Sequence, residues 1–428
     1  MSISITLGAL IGATMGGTEI TPDLQARLDA AEARIAELAA NQNADWMTEQ
    51  RSEQIRGLVQ DVLSDADTRA SLQGDGATSG YNNGFFVQSA DGKWSMTING
   101  VFQERFTYLD ATAGNWGFEN TRTLLNFSGD IAGSAYYNMR LGWSPYDMSG
   151  DDGAGAAGSG QSANLQWAYG GFDLNDTMTV QLGSQKYDVQ RSWIVNVEDQ
   201  MMIERSLSTR SWNTSSVTNG VKLLVDQDNF RGNIMLSNAS GVGTSTAYTA
   251  NNEGWGVSLR GEFLMEGDWS QFDAIGSSAG EAGGSMLGVG YALLSDAIGG
   301  TDDAWVLSAD YSYDADGWSL MAAVTTGEQT VGETMVGFDV QFGYWMNDTD
   351  QLYVSWDRLD MDNGTEDLDT LSIGVNHHMS ANTKLSLGLG YGLNDPATYV
   401  GAGHTSANGW TGDAVNDWNL TCQLQVAF

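Results

Sequence analysis

The 428-residue sequence contains one cysteine, three prolines and three histidines, and each scarcity closes off a class of protein. A single thiol, Cys422, supports neither an internal disulfide framework nor a cysteine-rich metal site. It lies near the end of the chain, far from where a lipoprotein anchor behind a signal peptide would be. His377, His378 and His404 are the whole supply of imidazole, and no GxSxG, HExxH or phosphate-loop pattern occurs. The chain therefore reads as a non-enzyme without a cofactor. Lys and Arg number 18 against 54 Asp and Glu, a formal charge of -36 that would repel nucleic acid. Beyond the first twenty residues no apolar run approaches the ~20 residues of a membrane-spanning helix. If this chain crosses a membrane, it does so with strands.

What is abundant supports that alternative. Fifty-four glycines and 43 aromatics, with little leucine-rich helical patterning, describe many strands joined by loops rich in glycine and aspartate. Residues 1–20 contain an apolar stretch followed by small residues, as a signal peptide does, although no Lys or Arg precedes it. Residues 21–72 change to Leu24, Leu28, Ala31, Ile35 and Leu38, a heptad seam. After a break at 41–45, Ile55, Val59, Val62 and Ala66 follow on a second amphipathic helix capped by Asp45. This segment reads as a coiled-coil stalk, the alternative being a helix pair packed on the chain's own barrel. Residues 73–93 read as a linker.

Residues 94–428 alternate with period two. In the first segment Trp94, Met96, Ile98, Phe102, Phe106 and Tyr108 share one face, and Ser95, Thr97, Asn99, Gln103, Arg105 and Thr107 the other. Sixteen such segments can be counted, with short turns such as IAGS, DQDN, DADG and NDTD alternating with longer loops. That alternation predicts an all-β transmembrane barrel of about 16 antiparallel strands, apolar outside and polar inside, with an N-terminal α-helical coiled coil. The eighth and ninth strands are separated by a longer connection, 267–281, expected to hold a short periplasmic helix. Trp143, Trp255, Trp305, Trp356 and Trp418 at one end, and Trp94, Trp318, Trp345 and Phe428 at the other, read as aromatic girdles. The chain closes on WNLTCQLQVAF, whose terminal Phe428 resembles the assembly signal of outer-membrane barrels.

Three stretches are similar to the phosphate-selective porin O and P superfamily, and in particular to stalked porins of planctomycete-type bacteria: WMTEQRSEQIRGLVQDVLSDADTRASL at 46–72, GYNNGFFVQSADGKWSMTINGVFQERF at 80–106, and LGSQKYDVQRSWIVNVEDQMMIERSL at 182–207. The segment GDWSQFDAIGSSAGE at 267–281 resembles a periplasmic connection of the same group. The resemblance implies a homotrimeric, diffusive outer-membrane porin in a lipid bilayer. It does not imply phosphate, because this chain has few of the Arg and Lys residues that line the pores of phosphate-selective members.

Strand parity turns the lumen-facing charges into a location. Arg105, Arg122, Arg140, Lys222, Arg231 and Arg260 alternate with apolar neighbours and are expected to line the pore, with Glu262 and Asp339 as partners. They either touch passing ions or brace the wall. The third external loop, 187–216, carries Arg191, Glu198, Glu204, Arg205 and Arg210 beside Trp193, Ile194, Met201, Met202 and Ile203, as expected of a loop that folds inward as a constriction. Asp360, Asp362, Glu366 and Asp367 form a candidate structural Ca²⁺ site on an external loop. The competing readings are a structural anchor that reaches the cell wall through the coiled coil and an outer-membrane hydrolase.

Overall fold

The computed structural model describes residues 77–428 apart from 111–114, 144–163, 213–216, 239–253, 279, 299–301, 331–332, 362–366 and 395–417. Before residue 77 it describes only 26, 29–34, 36, 37 and 76. The chain divides into two units, Met1–Gly76 and Ala77–Phe428. In the first, residues 29–34 are helical and exposed, with Arg34 3.7 Å from Glu37 one turn on. The seam residues Leu24, Leu28, Ile35 and Leu38 lie outside the described residues, as does the second helix. A helix is therefore seen there, and a coiled coil is not.

The second unit is a closed antiparallel barrel of sixteen strands. The first eight are β3 (Ser95–Leu109), β4 (Asn115–Ile131), β5 (Ala135–Trp143), β6 (Asn164–Asn175), β7 (Met178–Lys186), β8 (Val217–Asp226), β9 (Phe230–Asn238) and β10 (Trp255–Glu266). The rest are β11 (Gly284–Ile298), β12 (Asp302–Ala315), β13 (Trp318–Thr330), β14 (Glu333–Trp345), β15 (Asp350–Met361), β16 (Leu368–Ser380), β17 (Thr383–Gly392) and β18 (Trp418–Ala427). Each pairs with its sequence neighbours, and β18 pairs with β3 to close the ring. Before the barrel, in the stretch read as a linker, β1 (Thr78–Tyr81) and β2 (Phe85–Gln88) form a hairpin. Through β2 it continues the line of β18 along β3: β18 occupies Val101–Leu109 and β2 takes Ser95–Ile98. Between them Gly100 and Phe428 exchange both backbone hydrogen bonds at 3.0 Å. A Cβ at Gly100 would fall 2.6 Å from the Leu124 carbonyl oxygen and 2.8 Å from the Phe428 ring, so this seam demands glycine.

Burial is inverted relative to a water-soluble sandwich. Along β10, Ser258, Arg260, Glu262 and Leu264 are buried, whereas Leu259, Phe263 and Met265 are exposed. On β12 the buried residues are Ser308, Asp310, Ser312 and Asp314, while Leu307 and Tyr313 face out. Because side chains alternate along every strand, one face of the closed sheet is an apolar belt and the other a polar interior. That is the distribution of a barrel whose outer face is solvated by lipid. In the long connection after β10, a 3-10 turn (Trp269–Phe272) is held by a capping box, with the Asp268 carboxylate accepting from the Ser270 amide and the Gln271 side chain returning to the Asp268 amide.

Candidate functional site: the lumen and the loop that crosses it

The segment between β7 and β8 turns into the barrel. It contains α1 (Arg191–Ile194), a 3-10 turn (Val197–Asp199) and α2 (Leu207–Trp212). Its apolar residues grip the wall at three places. Tyr187, Val189 and Trp212 pack with Met235, Ala292 and Val306; Val195 and Met201 pack with Ile275, Met321 and Tyr353; Val197 packs with Val101 and Leu124. These few apolar residues among the polar inner positions are what the loop binds, and their burial supplies the non-directional part of its docking.

Charge and hydrogen bonds supply the direction. Glu204 accepts from Arg105 at 2.9 Å and from Arg122 at 2.7 Å, bridging adjacent strands. Arg105 also donates to Gln423, and Arg122 to Gln103. Glu198 accepts from Arg140 at 2.9 Å, and Asp188 from Lys222 at 2.9 Å. Farther round, Lys384 donates to the Gln200 carbonyl, Asn376 to that of Met201 and Gln425 to that of Glu198. Ser206 donates to Asp339, and the Ser208 amide to Asp357. The loop is thus stitched to strands on most of the circumference.

A second inward segment meets it. Residues 267–283, entering from the opposite end of the barrel, give the Ile275 amide to the Asp199 carbonyl at 2.9 Å. Arg191 donates to the Phe272 carbonyl and, at 3.1 Å, to that of Ala274. The Arg191 guanidinium is 2 % exposed and its Nε has no hydrogen-bond partner. Burial, reinforced by Arg260 and Arg231 nearby, pushes its pKa down to about 10, so it stays charged at neutral pH. Burial and the neighbouring Glu198 push the Asp199 carboxyl up to about 6, against the pull of Lys384 and Arg140.

Each charge singled out in the sequence has a definite place. Arg105, Arg122, Arg140, Lys222 and Arg260 are buried on the inner face, and each is paired. Arg260 donates to Asp310 at 2.8 Å, to Glu262 and to the Val189 carbonyl. Arg231 pairs with Glu262 and lies over the Trp269 ring at 4.5 Å. The positive inner band expected from parity is consequently matched by carboxylates, many of them brought by the loop. Arg205 serves the loop itself, donating to the Ser192 carbonyl at 2.7 Å and the Val195 carbonyl at 2.5 Å while packing on Trp193. Arg210 lies in α2, and its side chain is outside the described residues. Of the candidate Ca²⁺ ligands, Asp362 and Glu366 are also outside them, Asp360 is exposed, and Asp367 pairs with Arg358. Among the described residues no cluster of three potential metal ligands occurs. Asp188, Asp310, Asp357 and Lys384 belong to the network and were not singled out. Their inward parity was readable; their partners, far away in sequence, were not.

Two spaces remain around the loop. One of about 400 Å³ lies against β8–β10, lined by Arg191, Asp199, Asp226, Arg231 and Glu262. The other, about 80 Å³, is lined by Arg105, Glu204, Asp339, Tyr353 and Asp357. In both, charged side chains stand beside apolar ones, Ile203 and Leu389 in the smaller and Ile194 and Phe272 in the larger.

No protein-family model matches the sequence, and no curated protein does. Solved structures do match the fold. An anion-selective porin from Comamonas acidovorans is 14 % identical with a TM-score of 0.55, over 78 % of this chain and 99 % of that one. OmpF of Salmonella typhi, in complex with daunomycin, is 12 % identical with a TM-score of 0.53, over 82 % and 100 %. OmpT, an outer membrane protein of Vibrio cholerae, in its trimer form, is 12 % identical with a TM-score of 0.50, over 78 % and 99 %. The chain has the fold of outer-membrane porins. With its apolar outer belt, that fold locates it in an outer membrane. The likeness does not single out the phosphate-selective superfamily.

Proposed function

We propose that the chain is a homotrimeric porin, through which small polar solutes and ions diffuse passively past the inward loop. The observation that carries this reading is the polar interior of a closed barrel, crossed by a loop that leaves spaces of limited volume beside it, with charged groups in their walls. Selectivity divides into two zones. Inside, arginines and carboxylates are matched, so the narrow part favours neither sign strongly. The large negative total, -36 for the chain, belongs mainly to loops and rims, where it concentrates cations at the entrance. The result is a weak cation preference at low salt. The heptads at 21–72 form a coiled coil between copies, and Asp360, Asp362, Glu366 and Asp367 bind a structural Ca²⁺ on the external loop. Purified protein in planar bilayers is expected to give ohmic, stepwise openings in multiples of three. A correctly folded barrel that stays silent overturns the porin reading.

A further inference from the structure

The smaller of the two spaces beside the loop is walled by the inner faces of β14 to β18. Strand pairing sets Gln341 opposite Ser355, Ser355 opposite Ser372, Ser372 opposite Gly390 and Gly390 opposite Asn419. These residues therefore form one row across five strands, with a notch at the glycine. Thr370 and Thr421 flank the row, two residues away on β16 and β18, and face the same space. The inward loop supplies the other side with Met202 and Ile203.

This wall has hydrogen-bonding capacity that is neutral and unused. The hydroxyls of Ser355, Thr370, Ser372 and Thr421 and the Asn419 carboxamide have no side-chain hydrogen bond among the described residues. Gln341 is 1 % exposed; its Nε2 donates to Asp339 at 3.2 Å, while its Oε1 is buried without a partner. Buried polar groups are normally satisfied, so a row of idle ones marks a place where another molecule completes the bonds. The charges at the margins are already engaged. Glu204 accepts from Arg105 and Arg122, Asp339 from Ser206 at 2.9 Å, and Asp357 from the Ser208 amide. Arg205 donates to loop carbonyls. Arg105, Arg122 and Arg205 balance Glu204, Asp339 and Asp357, which leaves an ion of either sign little to gain. Neutral donors and acceptors in a row complement a molecule that carries several hydroxyls, and Met202 and Ile203 opposite them suit its C–H face.

We propose that the inner face of β14 to β18 is a subsite for neutral polyhydroxylated solutes, of the class of monosaccharides and cyclitols, held in transit by Gln341, Ser355, Thr370, Ser372, Asn419 and Thr421. The subsite rests on the porin reading and names a class of solute for it. Its space of about 80 Å³ is several times the roughly 10–15 Å³ that one water needs, so it takes an edge of a sugar ring while the rest stands in the lumen. The full chain in planar bilayers is tested with D-glucose at constant salt. Conductance is expected to fall saturably, with excess current noise near half-saturation. Triethylene glycol, similar in size but with hydroxyls only at its ends, is expected to lower conductance only in proportion to that of the bulk solution. Ser372→Ala combined with Asn419→Ala should raise the half-saturating glucose concentration roughly tenfold, and Thr421→Val alone by less. Ser258→Ala, on β10, should leave that concentration where it is. Heat-modifiable gel mobility verifies that each variant is folded. A folded barrel that conducts nothing overturns the porin reading and the subsite with it. A conducting channel on which glucose and triethylene glycol act alike overturns the subsite alone, as does saturation that the double variant leaves unchanged. Saturation by choline or acetate at lower concentration than by glucose assigns the space to ions and overturns the polyhydroxylated class.

Discussion

At the scale of single residues, the lumen works by pairing. Glu204 is shared by two buried guanidiniums, so removing its charge weakens the pairing of both, Arg105 keeping Glu119 at 3.9 Å. Breaking one side of a buried ion pair costs about 3–5 kcal/mol. Glu204→Gln is therefore expected to loosen the inward loop, seen as flickering single-channel current and new protease cleavage near residue 204, and to move reversal potentials toward anions. Asp199 is the inward-loop carboxyl whose charge should change in an ordinary pH range. Its carboxyl is raised to about 6, so between its ordinary value near 4 and pH 6 the folded protein holds a proton that the unfolded chain does not. Stability thus falls as pH rises through that window and is relieved as pH falls below 6. Cation preference should be weaker at pH 5 than at pH 7.5, and the part of that change centred near 6 should shrink in Asp199→Asn. Reversal potentials titrated in both proteins decide it.

At the scale of elements, the barrel closes where β18, the last strand, meets β3. Gly100→Val places a branched side chain against the Leu124 carbonyl and the Phe428 ring. Overpacking of this kind costs about 1–3 kcal/mol, and here it acts on the closing step, so a lower folded fraction on heat-modifiable gels is expected. The strands were legible in the sequence because alternation over nine or more residues repeats one signal many times. The sixteen segments counted in the sequence are the sixteen strands of the barrel. The β1–β2 hairpin was not legible: four-residue strands set among Gly, Asn and Asp carry too little alternation. The inward loop could be suspected from Trp193, Met201 and Met202. Its stitching could not, because Glu204 and Arg105, or Gln200 and Lys384, become neighbours only when the ring closes.

At the scale of the whole molecule, two charge distributions with different ranges coexist. The rim carboxylates act through solution and fade within about 8 Å at physiological salt and within about 3 Å at 1 M. The inner pairs are screened far less. Reversal potentials should accordingly indicate cation preference at 0.05 M salt and almost none at 1 M, while conductance per unit of bulk conductivity falls over the same range. A selectivity independent of salt would instead place control at the inner network. The stitched loop has one further consequence, which concerns voltage. Residues 187–212 carry four carboxylates against three guanidiniums, a net charge of only -1. A transmembrane potential does about 2.3 kcal/mol of work per elementary charge per 100 mV, and only on charge that moves through the whole field. A near-neutral segment held by several ion pairs and three apolar footholds gives the field almost nothing to pull on. The open state should therefore persist at membrane potentials well beyond 100 mV of either sign, whereas Arg191→Gln combined with Arg205→Gln, which leaves the loop at -3, should make closure depend on voltage.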